Sequence, residues 1–307
     1  MSPRGSASNG IGRRTALKAA GVSLLGVSLL SSPAAAAGRA KEHARLHWGE
    51  GVDLDGDGDV DLQTVARVCA DGRPSYLGVY LSDEGLATFE PPTEGDHGED
   101  GDGGHGEGEH VGASYWLDFP EVGDTPFTVM GFDWGPMGHP PGPWMTPHFD
   151  VHFYTIPEET VKGIGPGIAE YDIPDERMPE GYVTAGALGA PREIVPQMGE
   201  HLLDPTTPEL GGAEFTHTLI WGVSDLDGDG VGEMTFVEPM ITRKFLNGLK
   251  GTVRGDVALP EVVPEAGYYP TQYVMQRVPQ YGGILISLTK FEWRDLAYPP
   301  ESAGSDG

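Results

Sequence analysis

Turn-formers punctuate this chain too often for long helices. It holds 47 glycines and 27 prolines in 307 residues, and long helical periods are absent. Short strands joined by turns are the expected product. Residues 63–70 and 75–81 read as strands around a turn at Asp71-Gly72, and Ser82-Asp83-Glu84 then caps a short helix ending near Phe89. Residues 114–119, 127–134 and 147–156 read as further strands, and 216–223 with 234–239 as a hairpin. Residues 242–249 form a short helix with Thr242 as its cap, and 268–278 with 284–293 close the series as a last hairpin. Most strands follow one another through short turns. The expected fold is therefore mainly β, α+β with few short helices, as an antiparallel β-sandwich or barrel.

Residues 1–37 differ in kind. A polar opening carries Arg4 and leads to Arg13-Arg14-Thr15-Ala16-Leu17-Lys18, then an uncharged apolar run, then Pro33-Ala34-Ala35-Ala36-Ala37 with its Ala-x-Ala sites. A charged region, an apolar region and a small-residue cleavage site make a signal peptide, and the arginine pair marks the twin-arginine route. The apolar run is about twelve residues, where a membrane span needs about twenty. The expectation is a soluble protein without a stable membrane anchor. It would be carried by the twin-arginine translocase to the extracellular or cell-surface side. An acidic segment at 38–62, a β-rich domain at 63–295 and a tail at 296–307 would follow.

The formal charge is −28. The leader contributes four cations (Arg4, Arg13, Arg14 and Lys18) and no acid, so its removal deepens the negative charge. Such a field repels nucleic acid and anionic lipid. The acids are spread along the chain, which favours adaptation to molar salt, where screening is short-ranged, over an acidic ligand surface. Cys69 is the single cysteine and lies in the apolar run Val65-Ala66-Arg67-Val68-Cys69-Ala70, so a small buried residue is expected there. There is no Gly-x-Ser-x-Gly nucleophile elbow and no Gly-rich phosphate loop.

Three acidic stretches stand out. Residues 91–112 are a Gly, Asp, Glu and His run with His97, His105 and His110, from which no core can be built; a solvated disordered insertion is expected. Asp53, Asp55, Asp57, Asp59 and Asp61 alternate around Gly58, and Asp225, Asp227 and Asp229 repeat the start of that pattern. Carboxylates at alternate positions with glycine at the sixth resemble a calcium loop. The twelfth positions, Thr64 and Phe236, lack the closing glutamate. Structural calcium and a plain acidic turn both remain open.

The remaining chemistry lies in histidines and carboxylates. In His148-Phe149-Asp150-Val151-His152-Phe153-Tyr154, strict alternation sends Phe149, Val151 and Phe153 to one face and His148, Asp150 and His152 to the other. Residues four apart on a strand are separated by about 13 Å at their Cα atoms, so His148 and His152 barely reach one ion. Residues two apart converge. Further candidates are His139, His201, His217 and Glu238. Glu238 shares a face with Met234 and Phe236, and half of the possible hairpin registers bring His217 to it. Imidazole and carboxylate together suit zinc, iron, manganese or copper; a mutual hydrogen-bond network is the alternative.

Five strings occur in order: Pro136-Met137-Gly138-His139-Pro140, Pro147 through Tyr154, Pro196-Gln197-Met198-Gly199, Phe215-Thr216-His217-Thr218 and Val237-Glu238-Pro239-Met240-Ile241-Thr242. Together they resemble a domain family of exported prokaryotic proteins with no established activity, over about residues 65–245. The insertion at 91–112 and the acidic tip at 225–230 depart from that pattern as halophilic additions. The resemblance supports a metal site at the same histidines and glutamate. Two functions stay open. One is a transition-metal protein, extending to a metal-dependent enzyme. The other is a non-catalytic binding protein or homo-oligomeric assembly whose histidines form a hydrogen-bond network.

Overall fold

The computed structural model describes residues 45–91, 112–139 and 142–298. The leader, most of the acidic insertion with His97, His105 and His110, and most of the tail lie outside the described residues.

The chain runs through β1 (Arg45–Val52), β2 (Leu62–Val68), β3 (Pro74–Ser82), α1 (Asp83–Thr88), β4 (Ala113–Asp118), β5 (Val129–Gly135) and β6 (His148–Tyr154). It continues through α2 (Glu158–Gly163), β7 (Gly167–Ile168), β8 (Val183–Thr184), β9 (Glu193–Ile194) and β10 (Glu200–Leu203). The last stretch comprises β11 (His217–Ser224), β12 (Glu233–Thr242), α3 (Arg243–Gly248), β13 (Thr252–Asp256), β14 (Gly267–Val278) and β15 (Gly283–Arg294). The two helix caps follow from sequence: Ser82 Oγ accepts from the Gly85 amide at 2.7 Å, and Thr242 Oγ1 accepts from the Phe245 amide at 3.2 Å.

Two antiparallel sheets form a sandwich. The first has the order β1-β2-β3-β15-β14-β13, the second β4-β5-β6-β12-β11-β10-β8, and neither closes into a barrel. Alternation decides what each strand buries. Met130, Phe132 and Trp134 of β5, Phe149, Val151 and Phe153 of β6, and Leu219 and Trp221 of β11 turn inward. They meet Leu77, Val79 and Leu81 of β3 and Ile284, Ile286 and Leu288 of β15 in one apolar core. The outward residues of the second sheet are also buried. Val129, Tyr154, Ile220, Phe236 and Met240 form a second apolar cluster with Ile156, Val161, Ile164 and Phe215 from the connecting segments. The functional candidates sit in this covered outer layer.

The structure differs from the sequence expectations at three points. Residues 45–52, within the stretch 38–62 read as an acidic segment, form the edge strand β1. Cys69 is half-buried beyond the end of β2. The β11–β12 ladder is in register from His217↔Ile241 to Gly222↔Phe236, then slips so that Val223 faces Met234. That slip, a β-bulge, turns Met234 into the core and away from the face of Phe236 and Glu238. Among the described residues no helix is long and apolar enough to cross a membrane.

Candidate functional site

Three neighbouring strands carry the site. The β5–β6 register sets Asp133 opposite Asp150 and Gly131 opposite His152. The β6–β12 register sets Met240 opposite Asp150 and Phe236 opposite Tyr154, so Glu238 stands opposite His152. These side chains share the outer face of the second sheet. Two glycines make room for their neighbours. A Cβ on Gly222 would lie 2.1 Å from the Phe236 ring, and one on Gly131 would lie 3.2 Å from the Tyr154 ring.

Asp150 is the hub. His139, from the loop before β6, brings Nε2 to 2.8 Å from Asp150 Oδ2, and His148 Nε2 lies 3.1 Å from Asp150 Oδ1. His148 Nδ1 is 2.6 Å from the Thr146 carbonyl oxygen. A carbonyl only accepts, so Nδ1 carries the proton and, in the neutral ring, Nε2 presents a lone pair to Asp150. Further along β6, His152 Nδ1 is 3.2 Å from Asp133 Oδ2, and its Nε2 is 3.5 Å from Glu238 Oε2. His201 Nε2, from β10, lies 3.9 Å from the same Glu238 oxygen. Rings of Phe215, Phe236 and Tyr154 wall the cluster against His148 and His152.

The floor is buried and the mouth is partly exposed. His148, Asp150, His152 and Glu238 are buried, while the side chains of His139 and His201 are 37% and 27% exposed. Despite the short distances, His148 Nε2, Asp150 Oδ1, both nitrogens of His152 and Glu238 Oε2 have no well-aligned hydrogen-bond partner. Buried polar atoms without partners are costly, and here they are concentrated in one place.

The charges are mutually adjusted. Burial opposes the charged form of His152, but Glu238, then Asp133 and Asp150, outweigh it and hold the ring up to about 9. Burial pushes Glu238 up to about 8, against the pull of His152 and with the help of Asp150. Burial also works against ionised Asp150, yet His148 and His139 hold it well below the usual carboxylate range. His139 is raised because its bond to Asp150 overcomes burial. Burial pushes His201 down to about 3, with His152 and His139 adding to the effect.

A pH dependence follows for the protein without bound cations. His152 has its folded value raised from 6.5 to about 9, so its contribution is complete below pH 6.5 and lost as pH rises through 9. Glu238, raised from 4.5 to about 8, acts with the same sign between those values. His201, lowered from 6.5, acts with the opposite sign, but its share is complete above pH 6.5. Stability is therefore expected to fall from pH 6.5 to 9, by about 1.4 kcal/mol per pH unit for each extra proton held by the folded state. Urea unfolding at a series of pH values measures that slope.

His217 stands apart from the other candidates. Its partner in β12 is the core residue Ile241, so it turns to the inner face, against Phe245 and Tyr273. Asp133 joins the cluster without having been singled out from sequence. The acidic loops behave alike. Asp53, Asp55 and Asp57 gather in the β1–β2 connection, and Asp225, Asp227 and Asp229 at the tip of the β11–β12 hairpin. Asp53 accepts from the Gly56 and Gly58 amides, and Asp225 from those of Gly228 and Gly230. Asp59 does not join the first group, and Asp61 is buried, accepting from the Leu54 amide and the Ser82 hydroxyl. The twelfth positions, Thr64 and Phe236, are buried within β2 and β12.

The five motif strings, distant in sequence, gather around this layer. Besides His139, β6 and Glu238, Gln197 accepts the Tyr154 hydroxyl and Met198 that of Thr235 through their carbonyls, and Phe215 lies against His148. Comparison with family models, curated proteins and solved structures finds no significant match to this chain.

Proposed function

We propose that the chain is an exported protein that holds a divalent transition metal through His139, His148 and Asp150, with Glu238, His152 and His201 beside the ion. One observation carries this reading: the lone pair of His148 Nε2 and a carboxylate oxygen of Asp150 face each other at 3.1 Å, with the Nδ1 proton committed to Thr146. With His148 neutral these are two facing acceptors, and a metal cation between them would satisfy both, as a second ring proton would in its place. Tetrahedral ligand atoms about 2.0–2.1 Å from a zinc-sized ion lie roughly 3.3–3.4 Å apart, so the 2.8 and 3.1 Å separations around Asp150 would widen by a few tenths of an ångström to admit one. A backbone carbonyl on the remote nitrogen of a histidine is also the usual way to orient such a ligand.

Three protein ligands leave room for water or a substrate. Glu238, raised to about 8, and His152, raised to about 9, are placed to exchange a proton with a molecule bound there. That is the basis for a metal-dependent activity. The arginine pair of the leader fits a metal inserted before export, because that route carries folded proteins, and the acidic surface fits a salt-rich exterior.

In the rival reading, protons alone fill the cluster and the histidines form a hydrogen-bond network. Elemental analysis separates the two. Protein purified from its own host is expected to hold about one transition-metal ion per chain, His148→Ala to lose it, and His217→Ala to keep it. Wild-type protein free of transition metal, or equal loading of all three, would sink the metal reading.

A further inference from the structure

His217 and the buried acid Glu209 belong to a second cavity that the metal reading does not use. It lies where the β10–β11 side of the second sheet meets the β13–β14 side of the first. Its volume is about 340 Å³, and Tyr182, Asp204, Glu209, His217, Asp256 and Tyr273 are among its walls. That size suits a small molecule.

The chemistry of the walls is one-sided. Asp204, Glu209, Glu214 and Asp256 line the cavity, with no lysine or arginine among the lining residues. Glu214 is engaged by Lys244 at the surface. Glu209 is different in kind: it is only 4% exposed, and its Oε1 has no hydrogen-bond partner. The buried Thr207 Oγ1, also in the lining, has none either. An isolated carboxylate out of water is strongly unfavourable unless it takes up a proton or a cation meets it. The rings of His217 and Tyr273, 6.3 Å apart between centroids and inclined at 65°, supply an aromatic boundary. The Tyr182 hydroxyl is already committed to the Leu219 carbonyl. Burial lowers the affinity of His217 for a proton despite the nearby Glu209, so it adds no competing charge near neutral pH.

We propose that this cavity binds a small organic cation, a primary ammonium or guanidinium on a short aliphatic chain. Its N–H groups would donate to Glu209 Oε1, and its carbon chain would lie along Tyr273 and His217. A metal ion fits less well. No three of the lining acids and His217 bring ligand atoms within 4.8 Å of one another, whereas the groups that do lie elsewhere in the fold. Anions are repelled by the walls, and a neutral ligand leaves Glu209 uncompensated. The site is separate from the histidine cluster and does not depend on what that cluster holds.

The test is calorimetric titration with agmatine, putrescine and tetramethylammonium, and with N-butylurea as the uncharged counterpart of a guanidinium. Salt at about 1 M suppresses diffuse attraction to the acidic surface. Saturable one-to-one binding of agmatine or putrescine is expected, with N-butylurea and tetramethylammonium, which has no N–H to donate, at least tenfold weaker. Glu209→Gln is expected to weaken that binding at least tenfold, and Glu292→Gln, at an exposed position of β15, to leave it unchanged. Circular dichroism checks that Glu209→Gln folds. If it does not, Asp204→Asn at the half-buried edge of the cavity is expected to weaken binding about threefold, and unchanged affinity there overturns the proposal. Absence of saturable binding by both agmatine and putrescine, or tetramethylammonium binding as tightly as they do, overturns it as well. So does N-butylurea binding as well as the cations, or equal weakening by Glu209→Gln and Glu292→Gln.

Discussion

Replacing Asp150 with alanine is expected to cost the metal-free protein about 3–5 kcal/mol of folding stability, the usual penalty for removing one partner of a buried charged set. Asp150 is buried, stands beside Asp133 across β5 and Met240 across β12, and lies within hydrogen-bond reach of both His139 and His148. Its loss leaves His148 Nε2 facing a void with its other nitrogen tied to Thr146. Metal-loaded protein should lose more, because a ligand bound only by the folded state adds about 2.7 kcal/mol when present at 100 times its dissociation constant. Denaturant titration of both forms gives the two numbers. A metal-free variant as stable as wild type would mean that Asp150 is not the hub of this layer.

Arg192→Ala is expected to be equally severe, at about 3–5 kcal/mol, through a different group. Glu200 is 1% exposed, and both of its oxygens are held at 2.7 Å by the Arg192 guanidinium. The same guanidinium donates to the Tyr171 carbonyl at 3.0 Å and lies over the Tyr171 ring. Without it, a buried carboxylate loses its counter-ion and the crossing segment before β9 loses its anchor. Arg192→Lys keeps a charge but not the two-pronged geometry, so it should recover only part of the loss. Thermal unfolding of the pair of variants checks the order. Because Glu200 directly precedes His201, amide exchange in β10 should also rise in Arg192→Ala.

Local periodicity carried much of this far. The alternation in 148–154 alone assigns both faces of β6, and the distance limit between residues four apart agrees with what is seen: His148 turns to Asp150, His152 to Asp133 and Glu238. The same rule applied to Met130, Phe132 and Trp134 points to Asp133 on the opposite face, a signal that was present and unused. Register is another matter. The side of the sheet on which His217 falls depends on how β11 pairs with β12, and the fate of Met234 on a bulge at Gly222 and Val223. Neither is written in the local pattern. His139 and His201 come from a loop and a short outer strand, where periodicity assigns no face. The Arg192–Glu200 pair spans a segment with few regular elements, and no motif announces it.

The outer layer of the second sheet has a genetic consequence. In β6, even-numbered positions hold the polar cluster and Tyr154, and odd-numbered positions hold the core. Point substitutions therefore sort into two classes, those at even positions that alter the buried polar cluster and those at odd positions that alter the apolar core. Loss or gain of a single codon within β6 does the opposite, because a one-residue slip exchanges the two faces. It would press imidazoles into the hydrocarbon interior and push phenylalanines into the polar layer at one stroke. Whatever single residues change along that strand, lineages carrying this sheet are bound to keep its length.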